Sequence, residues 1–127
     1  MIKNFIILIL LSVIALAQDS IVVDKKQTLE WQDSDEKFIA KWKLANAYCE
    51  QLKLDGKDDW RLPSKEELIA LAKDKELKKE FKNMTDNIFW SNENGPFDAT
   101  TVFSGNGFSS STDNCEKFAT ICVRSGR

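Results

Sequence analysis

The chain has 127 residues, of which 18 are basic, 20 are acidic and none is histidine. Without histidine, serine–histidine and cysteine–histidine mechanisms are excluded, and the most common zinc ligand is missing. A weakly acidic balance is also atypical of nucleic-acid-binding proteins, so no nucleic-acid partner is expected.

The N-terminus has the pattern of a secretory signal peptide. Lys3 precedes an apolar run over residues 5–16, and Ala15 and Ala17 are the small residues that a signal peptidase reads. The run is shorter than the roughly 20 residues that a membrane-spanning helix needs. We therefore predict a signal peptide over residues 1–17 and no membrane insertion after its cleavage. Residues 18–127 then form a single exported domain, periplasmic or secreted, with 17 basic and 20 acidic residues and a net charge of about −3.

Hydrophobic patterning predicts a hairpin followed by helices. Two short apolar runs before residue 32 predict the strands of the hairpin. Apolar residues at spacings of three and four from residue 38 onward predict a first helix over residues 34–54. Ser64 and Glu67 have the spacing of a capping box, which begins a second helix, and the lysine-rich residues 73–82 continue it.

The C-terminal third predicts an antiparallel sheet. Short runs rich in aromatic and β-branched residues alternate with glycine-containing turns. The predicted strands are residues 88–91, 99–104, 107–109 and 117–124, and the predicted loops are residues 92–98 and 109–114. The initial hairpin is free to pair with the last strand. The predicted fold class is α+β, with two main helices packed on a small antiparallel sheet.

Three cysteines in an exported chain indicate one disulfide and one leftover thiol. Cys49 lies on the predicted first helix, whereas Cys115 and Cys122 lie near the C-terminus. All three pairings are open on this basis, as is the alternative that all three are buried and reduced. A bridge between Cys49 and Cys122 would constrain the unfolded chain more than the short loop between Cys115 and Cys122.

The order and spacing of several motifs resemble the Lcl C-terminal domain family, an exported bacterial family first catalogued as a domain of unknown function. The matching positions are Trp42, Ala45, Tyr48, Cys49, Leu52, Gly56, residues 59–63, Glu67, Leu68, residues 89–91 and residues 122–124. The Arg-Leu-Pro-Ser turn also resembles that of formylglycine-generating-enzyme-like proteins. These resemblances imply a C-type-lectin-like fold, in which a helix cysteine bridges to the last strand. They therefore imply a disulfide between Cys49 and Cys122.

The sequence predicts no catalytic residue and no cofactor, and the protein is predicted not to be an enzyme. The adjacent carboxylates Asp58 with Asp59 and Glu66 with Glu67 are explained by solvation and helix capping. The Asp-Trp-Arg-Leu-Pro turn is predicted to be structural, with Trp60 in the core and Arg61 paired internally.

No metal site is predicted either. Oxygen ligands for calcium are present in residues 92–98. However, the Glu-Pro-Asn and Trp-Asn-Asp motifs of calcium-dependent lectins are missing, so a solvated acidic loop is favoured.

We expect an exported, non-catalytic binding module that recognises a glycan or a surface protein through its C-terminal loops. The candidate ligand-binding residues are Asn92, Glu93, Asn94, Asp98 and Asn106. Resemblance to the Lcl domain of a glycosaminoglycan-binding adhesin implies a glycan ligand. The absence of Lys and Arg between Asn83 and Cys115 argues against sulfated polyanions.

The alternative is a structural or assembly protein of the bacterial envelope that acts by protein–protein contact. Its apolar surface would include Phe97, Phe103 and Phe108. An exposed aromatic cluster favours this alternative, whereas a concave loop face favours the binding module.

Overall fold

The computed structural model describes residues 20–126, which are mostly β. In this range eight strands form two sheets, and three helices have 10, 9 and 6 residues. The strands are β1 Ser20–Asp24, β2 Leu29–Asp33, β3 Phe38–Ala40, β4 Ile88–Asn94, β5 Asp98–Phe103, β6 Ser109–Asp113, β7 Phe118–Thr120 and β8 Val123–Ser125; the helices are α1 Trp42–Gln51, α2 Lys65–Lys73 and α3 Lys75–Glu80. The predicted signal peptide lies outside the described residues.

The predicted α+β, C-type-lectin-like fold with two main helices on a small sheet is wrong. Most of the error lies in the first helix, which was expected over residues 34–54 and begins only at Trp42. Phe38 of β3 continues the helical spacing of α1, but this segment is extended and pairs with β7. The lysine-rich continuation of the second helix is also broken, because Asp74 ends α2 and caps α3.

The smaller sheet has the order β1-β2-β8 and joins both ends of the described chain. The sequence predicted the β1–β2 hairpin and left it free to pair with the last strand. The hairpin is confirmed, and β2 does pair antiparallel with β8, where Trp31 lies opposite Val123. Arg61 forms a two-way backbone bridge to Val123 on the other side of β8, at 2.9 and 2.8 Å. The Asp-Trp-Arg-Leu-Pro turn is thereby attached to the small sheet.

The larger sheet has the order β3-β7-β4-β5-β6. Its pairs are antiparallel except for β4 with β7, which run parallel. The predicted strand over residues 117–124 is in fact two strands, because the chain leaves the larger sheet after Thr120 and enters the smaller one at Val123.

The core is rich in tryptophan, and each indole N–H has an acceptor. Trp31, Trp60 and Trp90 are buried, which confirms the prediction that Trp60 lies in the core. The indole of Trp90 donates to the carbonyl of Ala40 in β3 at 2.8 Å, and that of Trp42 donates to the carbonyl of Ser91 in β4 at 2.8 Å. Buried tryptophans therefore bring bulk to the core without leaving an unsatisfied polar group.

A disulfide joins Cys49 of α1 to Cys122, at a sequence separation of 73, and confirms the pairing that the family resemblance implied. Gln32 of β2 holds the same segment: its backbone N–H donates to the Cys122 carbonyl at 2.9 Å, and its side-chain oxygen accepts from the Cys122 N–H at 3.1 Å. The amide nitrogen of Gln32 donates to the Tyr48 hydroxyl at 2.9 Å. Cys115 is a free, exposed thiol.

The predicted capping box at the start of α2 is confirmed. The Ser64 hydroxyl accepts from the Glu67 N–H at 3.0 Å, and the Glu67 carboxylate accepts from the Ser64 N–H at 2.8 Å. Arg61 donates to both carboxylate oxygens of Glu67, at 2.8 and 2.9 Å, which confirms its internal pairing. Burial raises the pKa of Glu67, but the hydrogen bonds from Arg61 and Ser64 outweigh it and hold that pKa below its ordinary value.

Asp59 also has a structural partner. The Arg124 guanidinium donates from Nε to Asp59 at 2.6 Å and from Nη1 to Glu30 at 2.8 Å. This links the Asp-Trp-Arg-Leu-Pro turn to both β8 and β2. Within residues 20–126, no helix is long and apolar enough to cross a membrane.

Candidate ligand-binding site

A shallow polar concavity lies where β4 turns into β5. Its volume is about 200 Å³, and it is lined by Glu93, Asn94, Gly95, Asp98, Ala99, Thr100 and Ser111. We call it the polar concavity. It contains Glu93, Asn94 and Asp98, three of the five residues that the sequence singled out.

Gly95 lies against the Asp98 side chain in the turn that forms the polar concavity. The Gly95 N–H donates to the Asp98 carbonyl at 2.7 Å. A Cβ at Gly95 would lie 2.7 Å from Oδ1 of Asp98, so the Asp98 carboxylate would have to move to admit it. The Asn114 N–H donates to the Phe97 carbonyl at 3.0 Å, which fixes the turn from the side of β6.

Strand register brings the remaining groups together. Thr100 lies directly opposite Ser111 in the β5–β6 pair, and Asp98 lies two residues away on the same face. The Ser111 hydroxyl donates to Oδ2 of Asp98 at 2.7 Å. Carboxylate, amide and hydroxyl groups therefore converge on one open depression.

The other two predicted site residues lie elsewhere. Asn92 is exposed on β4, and its backbone N–H donates to the Pro63 carbonyl at 2.8 Å. Asn106 lies in the turn at the far end of the β5–β6 hairpin, where its side-chain oxygen accepts from the Phe108 N–H at 2.9 Å. Asn106 therefore stabilises its own turn.

The sequence missed Thr100 and Ser111 because the edge strand was misplaced. Residues 109–114 were predicted as a loop, but Ser109–Asp113 is β6. Likewise Asn92, Glu93 and Asn94 belong to β4, which extends past its predicted end at residue 91 through an irregularity in its pairing with β5. The alternation of polar and apolar residues at the start of β5, where Asp98 is exposed and Ala99 is buried, could have predicted which residues of β5 face outward.

The polar concavity is acidic and contains no basic side chain. Its two carboxylates, Glu93 and Asp98, accept hydrogen bonds, while Asn94 both donates and accepts. Among residues 20–126, no three Asp, Glu or Cys side chains form a group that could hold a metal ion.

Two larger depressions are built differently. One, of about 330 Å³, is lined by charged residues of both signs between the β1–β2 turn and α3, where Lys26 pairs with Asp74 at 3.7 Å. The other, of about 370 Å³, is lined by Ile39, Ile88, Phe103 and Phe118 together with Asp86, Asn87, Lys117 and Ala119. The first is a surface ion-pair region, and the second is an apolar groove.

The predicted aromatic surface does not form one cluster. Phe97 and Phe108 are strongly exposed, at 82% and 69%, and Phe103 is half-buried. Phe97 precedes β5 and Phe103 ends it, so the two lie about 20 Å apart along the strand. Phe108 lies at the Phe103 end, because the Phe103 N–H donates to its carbonyl at 2.8 Å.

The fold defines a two-sheet β domain with short helices and one disulfide between α1 and the segment that connects the sheets. The family model of the Lcl C-terminal domain matches residues 20–124. The chain therefore belongs to the Lcl C-terminal domain family. Comparison with curated proteins finds no match.

Proposed function

We propose that the mature chain is an exported, non-catalytic binding module that holds a neutral glycan in the polar concavity. The observation that carries this proposal is the convergence of Glu93, Asn94, Asp98 and Ser111 on one open depression. Sugar hydroxyls donate to carboxylates and accept from amide and hydroxyl groups, so this set matches a sugar edge. Export is supported by the disulfide, since such bonds persist in oxidising compartments.

The charge of the polar concavity favours neutral glycans over sulfated ones. Glu93 and Asp98 repel an anionic ligand, and the lining holds no Lys or Arg to neutralise one. This agrees with the absence of basic residues between Asn83 and Cys115.

A glycan panel tests the proposal. The oxidised protein from residue 18 onward is applied to neutral and sulfated glycans, with and without calcium. We expect saturable, calcium-independent binding to a neutral glycan, and loss of that binding in Asp98→Ala. Ser110→Ala is the matched control, because Ser110 lies beside Ser111 on the opposite face of β6. The proposal is contradicted if the folded protein binds no glycan on the panel, or if both variants lose binding equally.

The second candidate function, a structural or assembly role in the envelope, is favoured by one observation. The apolar groove leaves Ile39 and Ile88 exposed at 62% and 41%. Capture of an envelope protein that is lost on changing Ile39 to Ser, and kept on changing Asp98 to Ala, would support this role.

A further inference from the structure

Strand β6 forms one edge of the larger sheet, and within residues 20–126 no strand pairs with its outer side. It pairs with β5 over all five of its residues, from Ser109 opposite Val102 to Asp113 opposite Asp98, without a register shift. β6 contains no proline, no lysine and no bulge, which are devices by which sheet edges avoid pairing with another chain. The edge is therefore long and regular enough to accept a further strand.

Two other edges of the sheets are shorter or occupied. β3, at the opposite edge of the larger sheet, has three residues. The outer side of β8 in the smaller sheet is taken by Arg61, which bonds to Val123 in both directions at 2.9 and 2.8 Å. β6 differs from both, because it offers a five-residue ladder to a second molecule.

The register of β6 determines which of its backbone groups point outward. In an antiparallel pair, alternate residues direct their N–H and C=O groups toward the partner strand. The Phe108 carbonyl accepts from the Phe103 N–H at 2.8 Å, so the residues at even positions from 108 to 112 face β5. Ser109 and Ser111 therefore direct both backbone groups to solvent, and Asp113 directs its N–H there.

One face of this edge is acidic. Asp113 lies directly opposite Asp98, and Ser111 lies two residues away on the same face. Carboxylates in opposing positions repel each other, and in the described part of the chain neither Asp98 nor Asp113 forms an ion pair. A basic side chain on an added strand would lie beside this pair and offset the repulsion, because paired residues project from the same face.

The other face of the edge carries an exposed aromatic ring. Phe108 directly precedes β6 and is 69% exposed. Ser110 and Thr112 follow it on the same face. An apolar side chain on an added strand would cover the Phe108 ring and remove apolar surface from water. The two faces therefore favour different side chains at alternate positions of an added strand.

We propose that β6 is a docking edge for an extended segment of another protein, which adds as a further strand of the larger sheet and alternates basic with apolar side chains. The backbone ladder gives affinity, and the alternating side chains give specificity. The basic residues lie beside the pair of Asp98 and Asp113, and the apolar residues lie against Phe108. This inference goes beyond the proposed glycan module, because it assigns a protein ligand to the edge beside the polar concavity.

Two synthetic heptapeptides of the same composition test the occupant. One alternates lysine and valine, and the other has its lysines and valines in two blocks. Each is titrated by calorimetry into the oxidised Cys115→Ser protein from residue 18 onward. We expect a Kd of about 10 to 500 µM for the alternating peptide and binding at least about tenfold weaker for the block peptide. Equal binding of both peptides, or no binding of the alternating peptide at about 1 mM, overturns the proposal.

Amide hydrogen exchange tests the ladder without changing the sequence of β6. With the alternating peptide bound, the amide protons of Ser109 and Ser111 should exchange at least about tenfold more slowly. The amide proton of Ser110 is the internal control: it faces β5 already, so its rate should change by less than about twofold. Peptide binding that leaves exchange at Ser109 and Ser111 unchanged overturns strand addition.

A proline at position 109 tests the ladder from the side of the protein. Ser109→Pro removes an outward N–H and leaves the bonds to β5 in place, as edge strands tolerate. It should weaken binding of the alternating peptide by about tenfold, whereas Ser109→Ala keeps the N–H and should change binding by less than about twofold. Wild-type affinity in folded Ser109→Pro contradicts the proposal, and the exchange measurement decides the question if this variant does not fold.

A charge-removing pair tests the acidic face. Asp113→Asn should weaken binding of the alternating peptide by about three- to tenfold, and asparagine keeps an acceptor for the Cys115 N–H that Asp113 now binds at 2.8 Å. Glu116→Gln is the matched control, because Glu116 is exposed and lies outside β6. Equal loss in both variants would show general attraction of a basic peptide to an acidic protein, and would overturn the assignment of the docking edge.

Discussion

The Ser111 hydroxyl donates a 2.7 Å hydrogen bond to the Asp98 carboxylate, and this bond joins edge strand β6 to the turn that forms the polar concavity. The bond holds Oδ2 of Asp98, and Oδ1 lies beside Gly95 in the turn. The order of the site therefore depends on an edge strand that the sequence pattern did not reveal.

Removing this hydrogen bond should lower glycan affinity without unfolding the domain. For Ser111→Ala we expect a three- to tenfold loss of affinity, the scale of one hydrogen bond of about 1 kcal/mol. Ser111 is exposed, so the thermal midpoint should stay within about 2 °C of wild type. Calorimetric titration with the glycan found on the panel measures the first effect, and Ser110→Ala is its control. Unchanged affinity in Ser111→Ala would show that this hydrogen bond does not contribute to glycan binding.

Of the adjacent residues Glu66 and Glu67, only Glu67 belongs to the capping box, so only its loss should lower stability. Glu67→Ala removes a carboxylate that holds both Arg61 and the Ser64 N–H, so we expect a loss of about 1 to 2 kcal/mol in the free energy of unfolding. Glu66→Ala, at an exposed neighbouring position, should change it by less than about 0.5 kcal/mol. Denaturant titration distinguishes the two, and equal losses would show that Glu67 contributes only a negative charge in the first turn of α2, as Glu66 does.

The same carboxylate should make stability depend on pH. Because the pKa of Glu67 is lower in the folded protein than in the unfolded chain, its contribution is fully present above the unfolded pKa of about 4.3. The contribution is lost as the pH falls through the folded pKa. We therefore expect the stability difference between wild type and Glu67→Gln to be constant from pH 6 to 7 and to shrink below about pH 4. A difference that stays constant to pH 3 would show that the charge of Glu67 contributes nothing.

The disulfide should be a main source of stability, and the free thiol should not. Replacing both Cys49 and Cys122 by Ala should cost about 2 to 5 kcal/mol, because the bridge closes a loop of 73 residues. Cys115→Ser should be neutral, since Cys115 is exposed and unbridged. Denaturant titration of the three proteins measures both effects. A double alanine variant as stable as wild type would show that the hydrogen bonds between Gln32 and residue 122 hold this segment in place without the disulfide.

Local chemistry was predictable where the partners are close in sequence. Ser64 and Glu67 lie three residues apart, so their capping contacts follow from spacing. An internal partner was expected for Arg61, and the structure identifies it as Glu67. The same spacing argument failed at β3, because Phe38 matches the helical period of α1 and yet its strand pairs with β7 about 80 residues later. A tertiary contact overrode a local pattern there.

In the candidate site, too, residues close in sequence were predicted and a distant one was not. Glu93, Asn94 and Asp98 lie around a single turn, and sequence reasoning selected all three. Ser111 reaches them only through the β5–β6 register, which no local pattern encodes. Asn106 has the polar character of a site residue, but its Asx turn accounts for it.

The pairing of β2 with β8 also bears on how the protein is made. The partners of Trp31 and Cys49 are Val123 and Cys122, which are synthesised near the end of the chain. A half-synthesised chain therefore has neither a complete small sheet nor the disulfide. Contacts this distant in sequence delay folding until nearly all of the chain is available. A nascent chain that stays unfolded for longer is one that a translocation channel can still thread.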